Sequence, residues 1–234
     1  MIWSEQEACT KQVTQISTSA CGATAVINVM VSPKSKNFQL KFQKQKLKYF
    51  FLKFQLALNM PFSLEKVKEG VATRLRAESA PLPQYLVSRS FAGVTHEDII
   101  RGVHHASNGA LFARFFHMYP EREFSLSRWL SYWMKKGAVP IATLNLQHGV
   151  APENPIPDAW HHQMIFGVSS RGIYLTNPLE CVHEGALWSQ LSSPSVLKIK
   201  RNDIISRWYP GTNLRPLMYQ TDERWKKMNV LGKF

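Results

Sequence analysis

The sequence predicts an α+β fold in which a helical N-terminal part packs on a C-terminal antiparallel sheet. Up to Gly137 the apolar residues recur mainly with helical spacing, and beyond it they alternate as in strands. Because the two periods occupy separate parts of the chain, the pattern is typical of α+β proteins. With 44% hydrophobic residues in a chain of 234, we expect a single domain over 1–234 that buries a core of its own.

Helix caps and strand alternation place the individual elements. The predicted helices run from Cys21 to about Val31, from Ser63 to about Arg76, from Thr95 to His104, and from Ser125 or Ser127 to Lys136. The predicted strands cover 138–145, 162–168, 172–176 and 195–200. Residues 1–20 are expected to be irregular, 106–118 to pack as core, and 210–234 to form a peripheral tail.

Residues 32–60 form a basic, aromatic insertion whose composition differs from the rest of the chain. It contains seven lysines and no acid. Three interpretations remain open: a surface insertion, a basic amphipath over 34–54 that contacts an anionic membrane or a partner, and a splice or gene-model insertion without an evolved fold. Thirteen minus these seven lysines leaves +6, so the formal charge of +13 is largely local. We therefore infer no specific nucleic-acid partner from the charge.

Composition also bears on the compartment. Three cysteines are too few, and odd in number, for a disulfide scaffold, which favours a reducing compartment. The first residues carry two acids and lead into no apolar run, so no secretory signal is predicted. No stretch approaches the roughly 20 apolar residues of a membrane-spanning helix. The expected location is the cytoplasm, with the nucleus as the alternative.

Cys21 is the candidate nucleophile. It stands at the predicted first turn of a helix, where the positive end of the helix dipole would lower the pKa of its thiol. Gly22 would let a substrate backbone come close. The alternative is a buried structural cysteine, the commoner role of this residue. Cys9 and Cys181 lack such a setting and are expected to be structural.

The doublet His161-His162 supplies the candidate base. Successive side chains of a strand point to opposite faces, so only one of the two can face the site. The other is a bystander, and the residues alone leave the choice open. Cys181 and His183 make one further pair, which is too few ligands for a zinc site. No metal or other cofactor is predicted.

Asn177 and Gln15 complete the candidate set. Asn177 ends a predicted strand, where a turn asparagine is the default expectation. Its catalytic role would be to accept the imidazole N–H and hold the ring in the useful tautomer. Gln15 would donate to the developing oxyanion, although a polar residue in a lead-in segment is usually solvated.

Together these residues resemble the papain-like cysteine peptidases, especially their bacteriocin-leader-processing (double-glycine) branch. In that superfamily a Gln lies six residues before the nucleophile, as Gln15 lies before Cys21. The catalytic His lies six residues before a Gly that ends its strand, as His161 lies before Gly167. The Asn or Asp follows that His by about sixteen residues, as Asn177 does.

The resemblance covers roughly 15–31 and 125–178 and favours His161, with His162 as the alternative. It implies that Cys21 attacks, His161 is base and then acid, Asn177 orients the imidazole, and Gln15 with the Cys21 N–H forms the oxyanion hole. The chain departs from the family in its long insertion and in an Asn-Pro where the branch more often has Asp-Pro.

The resemblance implies a thiol (cysteine) peptidase that cuts a peptide or isopeptide bond of a protein or peptide substrate through an acyl-enzyme. Two alternatives remain: an acyl or peptidyl transferase on the same fold, and a catalytically inactive domain that serves as a binding module.

Overall fold

A four-stranded antiparallel sheet organises the C-terminal half of the fold. The computed structural model describes residues 1–15, 19–32, 64–151, 153–194 and 197–228. The strands are β1 (Ile141–Asn145), β2 (Trp160–Ser169), β3 (Gly172–Leu175) and β4 (Glu180–Val182). They stand side by side in chain order, so each pairs with its neighbour in sequence.

Helices precede and follow this sheet. Before it come α1 (Glu5–Lys11), α2 (Cys21–Val31), α3 (Leu64–Gly70), α4 (Leu82–Phe91), α5 (His96–Ala106) and α6 (Leu126–Lys135). After it come α7 (Glu184–Leu191), α8 (Arg201–Ile205), α9 (Arg215–Met218) and α10 (Glu223–Met228). The mixed α and β composition confirms the predicted α+β class.

The sheet is covered on both faces. On one face α2 packs against β2, and the N-terminal residues join it there. The buried side chains of this layer are Ile2, Trp3, Ala8, Val29, Met164, Phe166 and Tyr174. The other face packs against α6 and α7 through Leu126, Leu130, Ala142, Leu144, Ile165, Ile173, Leu175, Leu187 and Trp188. Burying such apolar side chains contributes about 1.5–3 kcal/mol each, which fixes α2 on the sheet.

Backbone orientation along β2 matters for the site. The N–H of Ile165 donates to Pro140 beside β1, whereas the carbonyl of Met164 accepts from Thr176 beside β3. Since orientation alternates along a strand, the N–H of His162 points to the same side as the backbone of Met164. The pairing of β2 with β3 begins only at Ile165, so this N–H lies beyond the β2–β3 ladder.

Capping explains the helices that the sequence predicted correctly. In α5, Thr95 Oγ1 accepts from the Asp98 N–H at 3.3 Å, and Asp98 Oδ2 accepts from the Thr95 N–H at 2.8 Å. Ser125 caps α6 through the N–H of Arg128. The predicted helix over Cys21–Val31 has those bounds, although its N-cap, Ala20, offers no side-chain hydrogen bond.

Other expectations were wrong. Residues 1–20 include α1, whose capping box joins Ser4 and Glu7. The helix predicted through Arg76 ends at Gly70, because Arg74 pairs with Gly93 in an isolated antiparallel bridge instead. The segment 106–118 does not pack wholly as core, since Phe112 is 77% exposed.

The predicted fourth strand is also absent from 197–200, the described part of 195–200. There the amide of Gln147 acts as the partner: its Oε1 accepts from Lys198 N at 2.7 Å and its Nε2 donates to Lys198 O at 3.0 Å. A side chain thus satisfies backbone groups that a strand would have paired. The fourth strand of the sheet is Glu180–Val182.

The tail contributes more than the peripheral role expected of it. Leu217 and Trp225 are buried with Leu82, Tyr85 and Leu86 of α4. Most of the 32–60 insertion lies outside the described residues, and so do the contacts expected for 34–54. Within the described ranges, none of the helices is long and apolar enough to cross a membrane.

Candidate active site

Cys21 is the first residue of α2 and is buried between this helix and β2. Burial raises the pKa of the Cys21 thiol above its ordinary value. Hydrogen bonds from the backbone N–H groups of His162, Gly22 and Cys21 itself act in the opposite direction, and the negative charge of Asp158 adds to the rise. The pKa expected to be lowered by the helix N-terminus is therefore raised, because desolvation outweighs these donors.

The bond from the His162 N–H places the sulfur against β2. This N–H points past the end of the β2–β3 ladder, as its alternation with Ile165 requires. The thiol thus contacts the main chain of the residue that directly follows His161.

His162 occupies the layer between α2 and the sheet. Its ring is buried, Nδ1 lies 3.0 Å from Thr143 Oγ1, and the backbone of Val94 supplies a second hydrogen bond. Burial lowers the pKa of His162 to about 4. A neutral ring engaged on both sides is a poor general base near pH 7. His162 is therefore placed as a structural residue of the site.

His161 points away from that layer and meets Asn177. Its Nε2 lies 2.6 Å from the backbone carbonyl oxygen of Asn177. Because a carbonyl only accepts, Nε2 carries the proton and Nδ1 carries the lone pair. Among the described residues Nδ1 has no hydrogen-bond partner. The ring is thus held in the tautomer in which Nδ1 can accept a proton.

The side chain of Asn177 does not orient the imidazole as the resemblance implied. Its Oδ1 accepts from the Gln15 N–H at 3.0 Å, and its Nδ2 donates to Gln15 Oε1 at 3.2 Å. The Asn177 N–H donates to Gln12 Oε1 at 3.1 Å. The φ angle of Asn177 is +58°, a left-handed conformation that asparagine adopts more readily than most residues. This turn aims its carbonyl at His161.

The structure thus brings Gln15, His161 and Asn177 into one hydrogen-bonded cluster, with Cys21 at the adjoining backbone of β2. Within the described residues, the Cys21 thiol has no hydrogen bond to the His161 ring.

A glycine allows the close packing at Cys21. A Cβ built on Gly22 would lie 2.1 Å from Val94 Cγ2 and 3.4 Å from His162 Cδ2. Such a contact with a β-branched side chain cannot be relieved without moving one element. Gly22 therefore sets the distance between α2 and the buried His162.

A cavity of about 730 Å³ opens beside the thiol. Its walls include Cys21, His162, Trp160 and the exposed Phe112. His161, Asn177 and Gln15 are not among the described residues that line it. The cavity is large enough to hold a peptide segment or a small molecule.

Three cavity-lining residues were missed by sequence reasoning: Arg76, Arg89 and Trp160. Each has a buried side-chain nitrogen without a hydrogen-bond partner in the described part of the chain. In a chain with 29 lysines and arginines, no sequence signal separates a buried arginine from a solvated one.

Among the described residues no cluster of three His, Cys, Asp or Glu side chains could hold a metal ion. Cys9 and Cys181, expected to be structural, are free and exposed. The chain matches none of the protein-family models, curated proteins or solved structures with which it was compared.

Proposed function

We propose that the chain is a thiol (cysteine) peptidase on a papain-like fold, acting on a peptide or isopeptide bond of a protein substrate. The observation that carries the proposal is the hydrogen bond from His161 Nε2 to the Asn177 carbonyl, beside a cysteine that opens a helix. It supplies an oriented base on the residue that precedes His162, whose backbone N–H donates to the Cys21 thiol, and thiol catalysis needs such a base within reach of the nucleophile.

The roles are those that the resemblance implies, with the tautomer of His161 taken from its hydrogen bond to Asn177. As the Cys21 sulfur attacks the scissile carbonyl, its proton passes to His161 Nδ1 and a tetrahedral oxyanion forms. The N–H of Cys21 at the start of α2, with the Gln15 side chain as second donor, stabilises that oxyanion. Collapse expels the amine, which takes the proton from Nδ1 and leaves a thioester. Water then attacks the thioester, giving one proton to Nδ1, which returns it to the sulfur.

Because burial raises the pKa of Cys21, the resting nucleophile is a neutral thiol near pH 7. Proton transfer to His161 then accompanies the attack rather than preceding it. In this mechanism the thiol loses its proton only when the substrate is in place. A mechanism with a preformed thiolate–imidazolium pair would deprotonate the thiol before the substrate binds.

One observation favours a second candidate, an inactive domain that binds a partner. A buried thiol of raised pKa, without a hydrogen bond to His161 in the described residues, is also what a structural cysteine would show. In that case the cavity would hold a ligand without turning it over.

The test is cleavage of a proteome-derived peptide library, read as new termini by mass spectrometry. We expect termini that the wild-type chain produces, that Cys21→Ala and His161→Ala abolish, and that Cys9→Ala leaves intact. Cleavage that persists in Cys21→Ala would exclude the thiol mechanism. If the folded wild-type chain makes no cut, the inactive binding domain becomes the better proposal.

A further inference from the structure

Two arginine side chains, one buried and one partly buried, lie in the wall of the Cys21 cavity. The side chains of Arg89 and Arg76 are 6% and 16% exposed, and both line the cavity. They approach the same oxygen: Asp158 Oδ1 lies 2.8 Å from Arg76 Nη2 and 3.8 Å from Arg89 Nη1. Two cations thus share one carboxylate.

One donor of each arginine is left without a partner by the described residues. Nε of Arg76 and Nε of Arg89 are buried and have no hydrogen-bond partner among the described residues. Burial, and the neighbouring charge of Arg76, lower the pKa of Arg89. An unpaired buried donor on a charged group is destabilising, so an anion in the cavity that accepts from these donors would offset that cost.

Two further carboxylates reduce the excess charge of the pair, and each also has another partner: the charge of Asp203 acts against the lowering of the Arg89 pKa, and Glu78 lies beside Arg76. Glu78 Oε1 lies 3.9 Å from Arg76 Nη1, but the Glu78 side chain is 56% exposed and also lies 3.7 Å from Arg207. Asp203 accepts a hydrogen bond from the Tyr85 hydroxyl at 2.8 Å.

Two other arginines that line the cavity donate to carboxylates. Arg74 donates to Asp98 Oδ2 at 2.7 Å, and Arg224 donates to Asp222 Oδ2 at 3.0 Å. They provide internal comparisons for the pair, because they share its cavity and charge but not its unmet donors.

The pair is close enough to the thiol to bear on its substrate. Asp158 forms an ion pair with Arg76, and its charge acts on the Cys21 thiol. The side chains of Arg76, Arg89 and Cys21 line one cavity. A guanidinium offers paired N–H donors that match the two oxygens of a carboxylate.

We propose that Arg76 and Arg89 bind a carboxylate of the substrate, so that the substrate class is a peptide with an acidic group near the bond at Cys21. This inference rests on the proposed peptidase function only in calling the bound peptide a substrate. The anion site does not depend on that function. The carboxylate belongs either to an Asp or Glu side chain or to a free C-terminus.

The test measures binding without turnover, by calorimetric titration of the full chain carrying Cys21→Ala. Three probes are used: acetyl-Ala-Glu-Ala-amide, acetyl-Ala-Gln-Ala with a free carboxyl terminus, and acetyl-Ala-Gln-Ala-amide. We expect one of the carboxylate probes to bind at least about tenfold tighter than the neutral one, as a charge-assisted hydrogen bond allows. The probe that does so identifies the source of the carboxylate.

Variants assign the effect to the pair. Arg89→Gln, added to Cys21→Ala, should abolish the preference, and Arg224→Gln should keep it. If thermal unfolding shows that the Arg89→Gln variant is not folded, Arg76→Gln, at the more exposed of the two arginines, replaces it. Equal binding of the three probes, including no measurable binding of any, would overturn the proposal, as would a preference that survives the variant.

The two proposals fail in different ways. If the chain prefers carboxylate probes but cleaves no peptide, the anion site is supported and the peptidase function is excluded. If cleavage depends on Cys21 but the three probes bind equally, the peptidase function is supported and the anion site is excluded.

Discussion

His161 and Asn177 are joined through the main chain of Asn177: the ring Nε2 lies 2.6 Å from its carbonyl oxygen, while the Asn177 side chain is held by Gln15. The element that orients the imidazole is therefore a backbone conformation. Any residue that adopts the left-handed φ of +58° could present the same carbonyl.

Asn177 should tolerate replacement by glycine better than replacement by alanine. Asn177→Gly keeps the carbonyl and tolerates the positive φ, so kcat/KM should fall less than about tenfold. Asn177→Ala loses the same side chain but pays about 1–2 kcal/mol for the left-handed conformation, and its activity and stability should fall further. Steady-state kinetics and urea unfolding of both variants make the comparison. Equal, large losses would assign the orienting role to the side chain.

The two histidines should separate activity from stability. His161→Ala removes the proposed base, and its activity should fall by about 10²–10⁴-fold, with unfolding free energy reduced by only about 1 kcal/mol for one part-buried hydrogen bond. His162→Ala opens a cavity and leaves Thr143 unpaired, so it should lose about 2–4 kcal/mol. Kinetics and denaturant unfolding of both variants test this. If His161→Ala keeps the activity of the wild-type chain, His161 is not the catalytic base.

The elements of the fold and the features of the site that could be predicted from the sequence are those with local signals. The caps at Thr95 and Ser125 and the alternation of β2 depend on neighbouring residues, and those elements were placed correctly. The amide of Gln147 that replaces a strand, and the buried Arg89, depend on residues 51 and 69 positions away. Such long-range contacts leave no local pattern. The raised pKa of Cys21 was missed for the same reason, since helix position is local and burial is not.

Cys21 should be the least reactive of the three thiols near neutral pH. Its pKa is raised by burial, whereas Cys9 and Cys181 are exposed, so at pH 7.5 iodoacetamide should alkylate Cys21 more slowly than either. The rate at Cys21 should keep rising with pH beyond the ordinary thiol range near 8.5. Peptide mass spectrometry follows all three in one sample, with Cys9 and Cys181 as internal controls. Preferential labelling of Cys21 at pH 7 would instead indicate a preformed thiolate.

Two glycines in helices should respond oppositely to alanine. Gly22→Ala forces a Cβ against Val94 and should cost about 1–3 kcal/mol, with loss of activity because α2 carries Cys21. Gly185, in α7, has open space around its added Cβ, so Gly185→Ala should be neutral or stabilise by up to about 1 kcal/mol through helix propensity. Thermal and urea unfolding measure both. A neutral Gly22→Ala would mean that α2 and Val94 are not packed as closely as described.

Stability should depend on pH through His162. Burial lowers its pKa from the ordinary 6.5 to about 4, so the unfolded chain binds this proton more readily than the folded chain does. Its contribution is therefore fully present above pH 6.5 and is lost as pH falls toward 4, a total of about 3 kcal/mol. Urea unfolding at pH 7, 5.5 and 4.5 should show this decline in the wild-type chain. His162→Gln, which keeps a donor and an acceptor but does not titrate, should be less stable at pH 7 and decline less. Because the carboxylates are common to both chains, their contribution cancels in the difference, and parallel curves would show that His162 titrates normally.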